Sequence, residues 1–238
     1  GRYSQLVEKL IEIGIAVFSF DGRGHGKSAP DGVTAFIDTA EDYLKDIHAL
    51  VEKVQNYISG IPVFIFGHSM GGGLVAGYVL KYKPKVAGVI LSSPAIKEAE
   101  GTSSVLIALS GLVNRLFPKL KVLQLDISGI SRIPEEVEKY KSDPLIYQKN
   151  VPARTGFELY HLMQFIQRNA EQFSSPVLLI HGDADQLTNP KGSNLLFEKA
   201  SSADKTIRII PGGYHELLND LNREEVRELI LNWIKSRI

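Results

Sequence analysis

Ser69 is the residue whose neighbours in the sequence best suit nucleophilic chemistry. It is the central residue of Gly-His-Ser-Met-Gly (67–71), which follows the apolar run Val63–Phe66 and precedes Leu74-Val75-Ala76. A short apolar run indicates a buried strand, and the residues after the turn indicate the start of a helix, so Ser69 is predicted at a strand-to-helix turn. In that setting G-x-S-x-G is a nucleophile elbow, which lifts one hydroxyl above the sheet. The alternative is a plain structural turn, which the strand-turn-helix context disfavours.

The same elbow predicts a donor for an oxyanion. The amide of Met70 would lie at the N-terminus of the following helix, where negative charge is favoured. We expect Gly67 and Gly71 to be glycines because a sharp turn brings both positions against neighbouring backbone, where a Cβ would clash.

A serine hydroxyl needs a base to accept its proton, and the base needs an acceptor that fixes its tautomer. Loops that follow the carboxyl ends of parallel strands meet at one edge of the sheet. Asp183, Asp185 and His215 all follow predicted strand ends, and with Ser69 they appear in the chain order Ser, Asp, His that this elbow type uses. His215 is therefore the predicted base among the 6 histidines. Spacing alone does not choose between Asp183 and Asp185.

A metal site is the alternative interpretation of this cluster. Its ligands would be His181, Asp183, Asp185 and His215. We disfavour it because it leaves the elbow serine without a purpose, and we expect neither a metal nor an organic cofactor. His181 is instead expected to cap its strand through hydrogen bonds.

The elements that must position these residues alternate along the chain. Helices are predicted at 3–13, 39–58 and 74–82, and buried strands at 15–20, 63–66, 86–91, 176–180 and 206–210. This alternation predicts an α/β fold with a mostly parallel sheet and helices on both faces.

The alternation lapses between residues 95 and 173, where apolar helical stretches appear. We interpret this segment as a helical cap inserted between two strands, which leaves 1–94 and 174–238 as the core. The apolar residues of the cap either pack it onto the core or line an acyl channel.

Composition excludes several classes of function. Lys+Arg and Asp+Glu are balanced at 27 each, so there is no basic field to attract nucleic acid. The chain has no cysteine, which excludes disulfides and thiol catalysis and fits a reducing compartment. No apolar run approaches the ~20 residues needed to span a bilayer, and no signal segment opens the sequence. We expect a soluble, cytoplasmic protein.

Five stretches resemble the monoacylglycerol lipase and lysophospholipase branch of the α/β-hydrolases, the serine aminopeptidase S33-like group. They are Asp21–Ser28, Gly67–Gly72, Tyr140–Leu145, His181–Asp185 and Tyr214–His215, and they span nearly the whole chain. The resemblance implies an α/β-hydrolase fold in which Ser69 is the nucleophile, His215 the base and Asp185, rather than Asp183, the orienting carboxylate.

The resemblance also concerns the substrate. It implies a mobile amphipathic cap over an acyl tunnel, with Tyr140 near the glycerol end and Arg2 helping to bind the polar head. In the family, a His-Gly-x-Gly-Glu loop on a central strand comes immediately before the Gly-Arg-Tyr with which this sequence begins, and it supplies a second oxyanion amide. Only the Met70 amide is present here, and we expect the sequence to be a truncated version of a longer chain. Loss of one oxyanion donor typically costs about 3–4 kcal/mol.

Together these features predict a serine carboxylic-ester hydrolase that acts on monoacylglycerols or similar single-chain acyl esters through an acyl-enzyme. Lysophospholipase, thioesterase or aminopeptidase chemistry on the same machinery is one alternative, and a non-catalytic binding protein on the same fold is another. The apolar stretch of the cap permits transient contact with a membrane surface. Nothing in the sequence indicates an oligomeric state.

Overall fold

The computed structural model describes residues 1–29, 32, 34–100, 104–124 and 126–238. In this part of the chain the α-helices are α1 (Ser4–Glu12), α2 (Ala40–Tyr57), α3 (Met70–Tyr82), α4 (Ser104–Leu116), α5 (Pro134–Ser142), α6 (Ala153–Asn169), α7 (Pro190–Lys199) and α8 (Arg223–Lys235). The strands are β1 (Phe64–His68), β2 (Gly88–Ser92), β3 (Lys121–Leu123), β4 (Val151–Pro152), β5 (Val177–Gly182) and β6 (Lys205–Ile210). None of the helices in these ranges is both long enough and apolar enough to cross a bilayer.

The main sheet is parallel and has the strand order β1-β2-β5-β6. Every residue of the two central strands, β2 and β5, is buried, as expected for strands covered on both faces. Because all four strands run in the same direction, their carboxyl ends meet at one edge. The predicted α/β class with a mostly parallel sheet is confirmed.

Helices cover both faces of this sheet. Val89 and Leu91 of β2 face a core formed with α2, α3, α6 and α7. Ile90, between them, faces the opposite core, which α1 and α8 complete with residues such as Leu10 and Trp233. The period-two alternation of a strand thus divides one short run of apolar residues between two layers of helix.

Local sequence signals account for the bounds of several helices. The side chain of Thr39 accepts a hydrogen bond from the Asp42 amide at 3.1 Å, which caps α2 as predicted. Gly14 has a φ of 81° just after α1, a conformation that glycine adopts without steric penalty.

The predicted buried strand at residues 15–20 is wrong. These residues form no strand, and Val17, Phe18 and Phe20 are more than two-fifths exposed. An apolar run becomes a strand only where a neighbouring strand completes its hydrogen bonds. In the described sheet β1 is an edge strand that pairs with β2, and residues 15–20 pair with neither sheet. The aromatic rings instead contact helix α2, as Phe18 does at Tyr57.

The segment between β2 and β5 contains α4, α5, α6 and the small antiparallel sheet β3–β4. Within it, α6 packs against α3 so closely that a Cβ on Gly77 would lie 2.5 Å from the Leu162 side chain. Leu162 and Ile166 of α6 belong to the main core, although the predicted cap included them. The division into a core (1–94 and 174–238) and a cap (95–173) stays a prediction.

Candidate active site

Ser69 joins β1 to α3 in a backbone conformation that is unusual for a residue with a side chain. Its φ is 54° and its ψ is −122°. The turn is held by the end of β2 and the loop after it: the Ser69 amide donates to the Ser92 carbonyl at 3.0 Å, and the Ser69 carbonyl accepts from the Ala95 amide at 2.9 Å. Strained backbone of this kind persists only where surrounding contacts fix it, and it is concentrated at functional sites.

The glycines around Ser69 are not equivalent. A Cβ on Gly67 would lie 2.5 Å from the Gly71 carbonyl oxygen, which explains glycine at that position. The prediction for Gly71 is wrong, because a Cβ there would meet nothing within 4 Å. The close approach falls instead on Gly72, whose Cβ would lie 2.8 Å from the Cα of Pro94, because α3 packs its first turn against the loop after β2.

Three of the predicted site residues form a continuous line of hydrogen bonds. The Oγ of Ser69 lies 2.8 Å from Nε2 of His215, and Nδ1 of His215 lies 2.7 Å from Oδ2 of Asp185. With the Nδ1 proton donated to the carboxylate, Nε2 is free to accept the proton of the serine hydroxyl. His215 and Asp185 are 4% and 8% exposed, so bulk water competes little for these bonds.

Asp183 has a different partner, which separates the two candidate carboxylates. Its Oδ1 accepts a hydrogen bond from the Gly212 amide at 2.6 Å and so fixes the turn after β6. The structure therefore brings Asp185, and not Asp183, to His215.

Asp185 is surrounded by donors. The amides of Leu187 and Thr188 donate to Oδ1 at 2.8 and 3.0 Å, and the Thr188 hydroxyl lies 2.9 Å from Oδ2. Burial alone raises the pKa of the Asp185 carboxyl, but hydrogen bonds from His181 and His215 outweigh burial and hold this pKa well below its usual value. Asp185 is thus negatively charged at neutral pH and can stabilise a positive charge on His215.

His181 also belongs to this network, a role that was not predicted from the sequence. Its Nε2 lies 3.2 Å from Oδ2 of Asp185, and its Nδ1 lies 2.7 Å from Oγ of Ser193. The side chain is completely buried. The available signal was the spacing of four residues between His181 and Asp185 at the end of a strand. In the part of the chain that the structure describes, no three acidic or histidine side chains are arranged to hold a metal ion.

His68 lies next to the predicted nucleophile and beside the predicted base. Its ring centre is 4.8 Å from that of His215, and its Nδ1 lies 3.2 Å from Oγ of Ser92. Burial, followed by the nearby charge of His215, holds the pKa of His68 well below its usual value. A neutral imidazole at this position adds no positive charge that would compete with protonation of His215.

Met70 is the first residue of α3. Its amide is therefore one of the N–H groups that have no acceptor within the helix, and it lies at the positive end of the helix dipole. Its assignment as an oxyanion donor stays a prediction.

The structure brings the two predicted substrate-binding residues into contact with each other. The guanidinium carbon of Arg2 lies 5.6 Å from the centre of the Tyr140 ring. Arg2 also donates to Glu216 through Nε at 2.6 Å and contacts Glu136 at 3.3 Å. Glu216 directly follows His215, so this cluster adjoins the loop of the predicted base.

The fold and the site define a class. A serine on a strained strand-to-helix turn, with aspartate and histidine at the carboxyl ends of later parallel strands, is the arrangement of an α/β-hydrolase. Residues 1–222 match the family described as Serine aminopeptidase, S33, and the chain belongs to that family. The resemblance noted in the sequence is thereby confirmed.

Individual relatives agree with this class. The chain is 33% identical over 238 residues to a monoacylglycerol lipase of Mycolicibacterium smegmatis, covering 100% of this chain and 84% of that protein. It is 32% identical to the monoglyceride lipase of Homo sapiens, covering 100% of this chain and 78% of that one. The crystal structure of Paleococcus ferrophilus monoacylglycerol lipase superposes with a TM-score of 0.90 at 35% identity, covering 100% of this chain and 90% of that chain. The protein is a serine carboxylic-ester hydrolase.

Proposed function

We propose that this protein hydrolyses monoacylglycerols through an acyl-enzyme formed on Ser69. The observation that carries the proposal is the line of hydrogen bonds from Ser69 Oγ through His215 to Asp185. The substrate class is supported by the names of the three similar proteins described above, each of which is called a monoacylglycerol or monoglyceride lipase.

In the first half-reaction Ser69 Oγ attacks the ester carbonyl carbon while His215 Nε2 accepts the hydroxyl proton. The positive charge on the ring is stabilised by Asp185, which is already ionised and within hydrogen-bond distance. The carbonyl oxygen becomes an oxyanion, for which the Met70 amide is the proposed donor. The tetrahedral intermediate then collapses, the ester C–O bond breaks, and His215 returns the proton to the departing alcohol oxygen.

In the second half-reaction water replaces the alcohol. His215 accepts a proton from the water as its oxygen attacks the acyl carbon, and a second tetrahedral intermediate forms. Its collapse breaks the bond between the acyl carbon and Ser69 Oγ, which recovers the proton. The fatty acid leaves, and the three side chains return to the observed arrangement.

We propose that the polar head of the substrate lies beside Arg2 and Tyr140. The support is their mutual contact and the ion pair of Arg2 with Glu216, next to the base. Burial raises the pKa of the Tyr140 hydroxyl, so this group stays protonated and can donate to a glycerol oxygen. Tyr140→Phe should therefore raise KM for a monoacylglycerol about threefold to tenfold, the range expected for one neutral hydrogen bond. KM for p-nitrophenyl butyrate, which has no glycerol group, should not change.

We also propose that the cap touches membrane or micelle surfaces transiently. Leu109, Leu112 and Leu116 lie on α4, and Phe117 and Leu120 follow it, and each of the five is 50–60% exposed. An apolar surface of this kind adjoining a hydrolase core suits a substrate that resides in lipid. Leu112→Asp should weaken co-flotation with phosphatidylcholine vesicles.

We place the protein in the cytoplasm, a compartment compatible with a chain that has no cysteine.

The test compares wild type with Ser69→Ala on three substrate types, namely monoacylglycerols, p-nitrophenyl esters and aminoacyl anilides. We expect turnover of the first two, labelling by a fluorophosphonate, and loss of both in Ser69→Ala. Preference for the anilides would indicate an aminopeptidase and end the lipase proposal. A folded wild type that neither labels nor turns over any ester would favour a binding protein on the same fold.

A further inference from the structure

The loop between β6 and α8 carries His215, and it is held from outside by a short stretch of the segment between β2 and β5. We infer that residues 129–133, here called the clamp, keep His215 in register with Ser69, and that Arg132 and Asp220 are a positioning pair for the base. This inference rests on the proposed function, because it assigns the clamp a role in the step that His215 performs.

The backbone of the clamp bonds directly to the backbone of the base loop. The amide of Glu216 donates to the Ile130 carbonyl at 2.7 Å, and the amide of His215 donates to the Gly129 carbonyl at 3.3 Å. A Cβ on Gly129 would lie 3.1 Å from the side chain of Leu187, in the loop that follows Asp185. The clamp therefore adjoins two of the three loops that carry the site.

Asp220 connects the clamp to the residue before His215. It accepts hydrogen bonds from the amide and Nε of Arg132, both at 2.8 Å, and from the amide of Tyr214 at 3.0 Å. Its side chain is fully buried in this arrangement. Burial raises the pKa of the Asp220 carboxyl, but donors from the Tyr214 and Arg132 backbones outweigh burial and lower that pKa. Asp220 is thus a charged acceptor that joins two chain segments.

Arg132 and Ser131 extend these contacts to both ends of the loop. Nη2 of Arg132 donates at 2.6 Å to the side chain of Asn222, which immediately precedes α8. At the start of the loop, a Cβ on Gly212 would lie 3.3 Å from Nη1 of Arg132. The hydroxyl of Ser131 donates to the Asn219 carbonyl at 2.8 Å. The clamp thus contacts residues before and after His215 and restricts movement of the loop in between.

These contacts matter for chemistry because proton transfer is sensitive to small displacements. A shift of about 1 Å in a catalytic group can lower the rate about a hundredfold. The loop begins where β6 ends at Ile210, so the sheet itself does not fix the position of His215. A further contact from outside the loop is the Ser93 hydroxyl, which donates to the His215 carbonyl at 2.8 Å.

The test uses Arg132→Ala and a matched control, Arg237→Ala. Arg237 also pairs with an aspartate through two hydrogen bonds, at 2.8 and 2.6 Å, but that partner, Asp204, precedes β6 at the other end of the strand. For each variant we would measure the rate constant for fluorophosphonate labelling of Ser69, kcat and KM for p-nitrophenyl butyrate, and the melting temperature.

We expect Arg132→Ala to label about tenfold to a hundredfold more slowly and to lose kcat by the same factor, with KM changed less than about threefold. Arg237→Ala should keep the wild-type labelling rate, even if its melting temperature falls as far as that of Arg132→Ala. Millimolar guanidinium chloride should restore part of the labelling rate in Arg132→Ala and have no effect on the control.

Two results would overturn the inference. One is a folded Arg132→Ala that labels at the wild-type rate, and the other is an equal loss of rate in Arg237→Ala. If Arg132→Ala does not fold, Ser131→Ala would be tested in its place, because it removes the hydroxyl that donates a hydrogen bond to the Asn219 carbonyl. This variant should slow labelling about twofold to fivefold at an unchanged KM. Wild-type labelling is measured in the same series, so failure of the proposed function would be distinguished from failure of the clamp.

Discussion

Nε2 of His181 lies 3.2 Å from Oδ2 of Asp185, the same oxygen that His215 Nδ1 contacts at 2.7 Å. One carboxylate oxygen therefore faces two imidazoles. The first of them is completely buried and is held at its other nitrogen by Ser193. This arrangement fixes both the charge of Asp185 and the direction in which its oxygen points.

Replacing His181 should therefore weaken the site without removing any residue that touches substrate. A hydrogen bond to a charged group contributes about 1.5–3 kcal/mol, so His181→Leu should lower kcat about tenfold or more. His181→Asn, which keeps a donor on a shorter side chain, should lose less. The measurement is kcat and KM on a p-nitrophenyl ester. Equal kcat for His181→Leu and wild type would show that the second imidazole is dispensable.

Asp183 and Asp185 provide a matched pair of substitutions. Asp185→Asn should lower kcat by about four orders of magnitude, the effect seen when the orienting carboxylate of a serine protease triad is replaced. Asp183→Asn keeps an oxygen that can accept from Gly212 and should change kcat less than about threefold. Steady-state kinetics of the two purified variants decides the assignment. A larger loss at position 183 would reverse it.

Gly67 and Gly71 occupy equivalent places in the motif but differ in space. Gly67→Ala would place a Cβ 2.5 Å from the Gly71 carbonyl oxygen, and we expect it to destabilise the fold by about 1–3 kcal/mol and to slow labelling of Ser69. Gly71→Ala meets open space in the first turn of α3 and should be neutral or should stabilise by up to about 1 kcal/mol. Urea denaturation measures both. If Gly71→Ala proves as damaging as Gly67→Ala, the described turn geometry is incorrect.

His68 should make the stability of the protein depend on pH in the weakly acidic range. The pKa of its buried ring is well below the usual value of about 6.5, so the unfolded chain binds a proton that the folded chain does not. The free energy of unfolding should therefore fall as pH drops below about 6.5. His68→Gln removes this group and should reduce the fall between pH 7 and 5 by up to about 1.4 kcal/mol per pH unit. Asp185, whose pKa is also lowered, contributes its own loss of stability only below about pH 4.

The same measurement has a clear negative outcome. Urea midpoints of wild type and His68→Gln would be compared at pH 7, 6 and 5. If the midpoint falls with pH by the same amount in both proteins, His68 is protonated equally in the folded and unfolded chains. That result would contradict the neutral imidazole that the structure indicates beside His215.

Local signals predicted most of the fold. The apolar run before Ser69 and the cap at Thr39 depend on residues close together in sequence, and the structure has the corresponding elements. The order of Ser69, Asp185 and His215 joins residues far apart in the chain, and it was predictable because the loops after parallel strands meet at one edge of the sheet. The strand prediction for residues 15–20 was wrong because it used the local pattern alone. Their apolar pattern resembles that of a strand, but strand formation depends on a partner that the pattern does not contain.

Within the site, too, the contacts that the sequence did not predict are long-range ones. Spacing could not choose between Asp183 and Asp185, because the choice depends on which of them the turn at Gly212 occupies. The bonds of His181 to Ser193, and those of the clamp to the base loop, join segments whose approach no local pattern encodes. Such long-range polar contacts become visible only once the chain is folded.

The backbone of Ser69, with φ at 54° and ψ at −122°, is the mirror image of the common extended region, and glycine alone adopts it without a steric penalty. A version with glycine at this position would lack the proposed nucleophile and yet should melt at a higher temperature. Laboratory evolution for heat tolerance, run without a parallel screen for turnover, would tend to enrich dead enzymes. Selection schemes for this scaffold should therefore couple survival to ester cleavage from the first round.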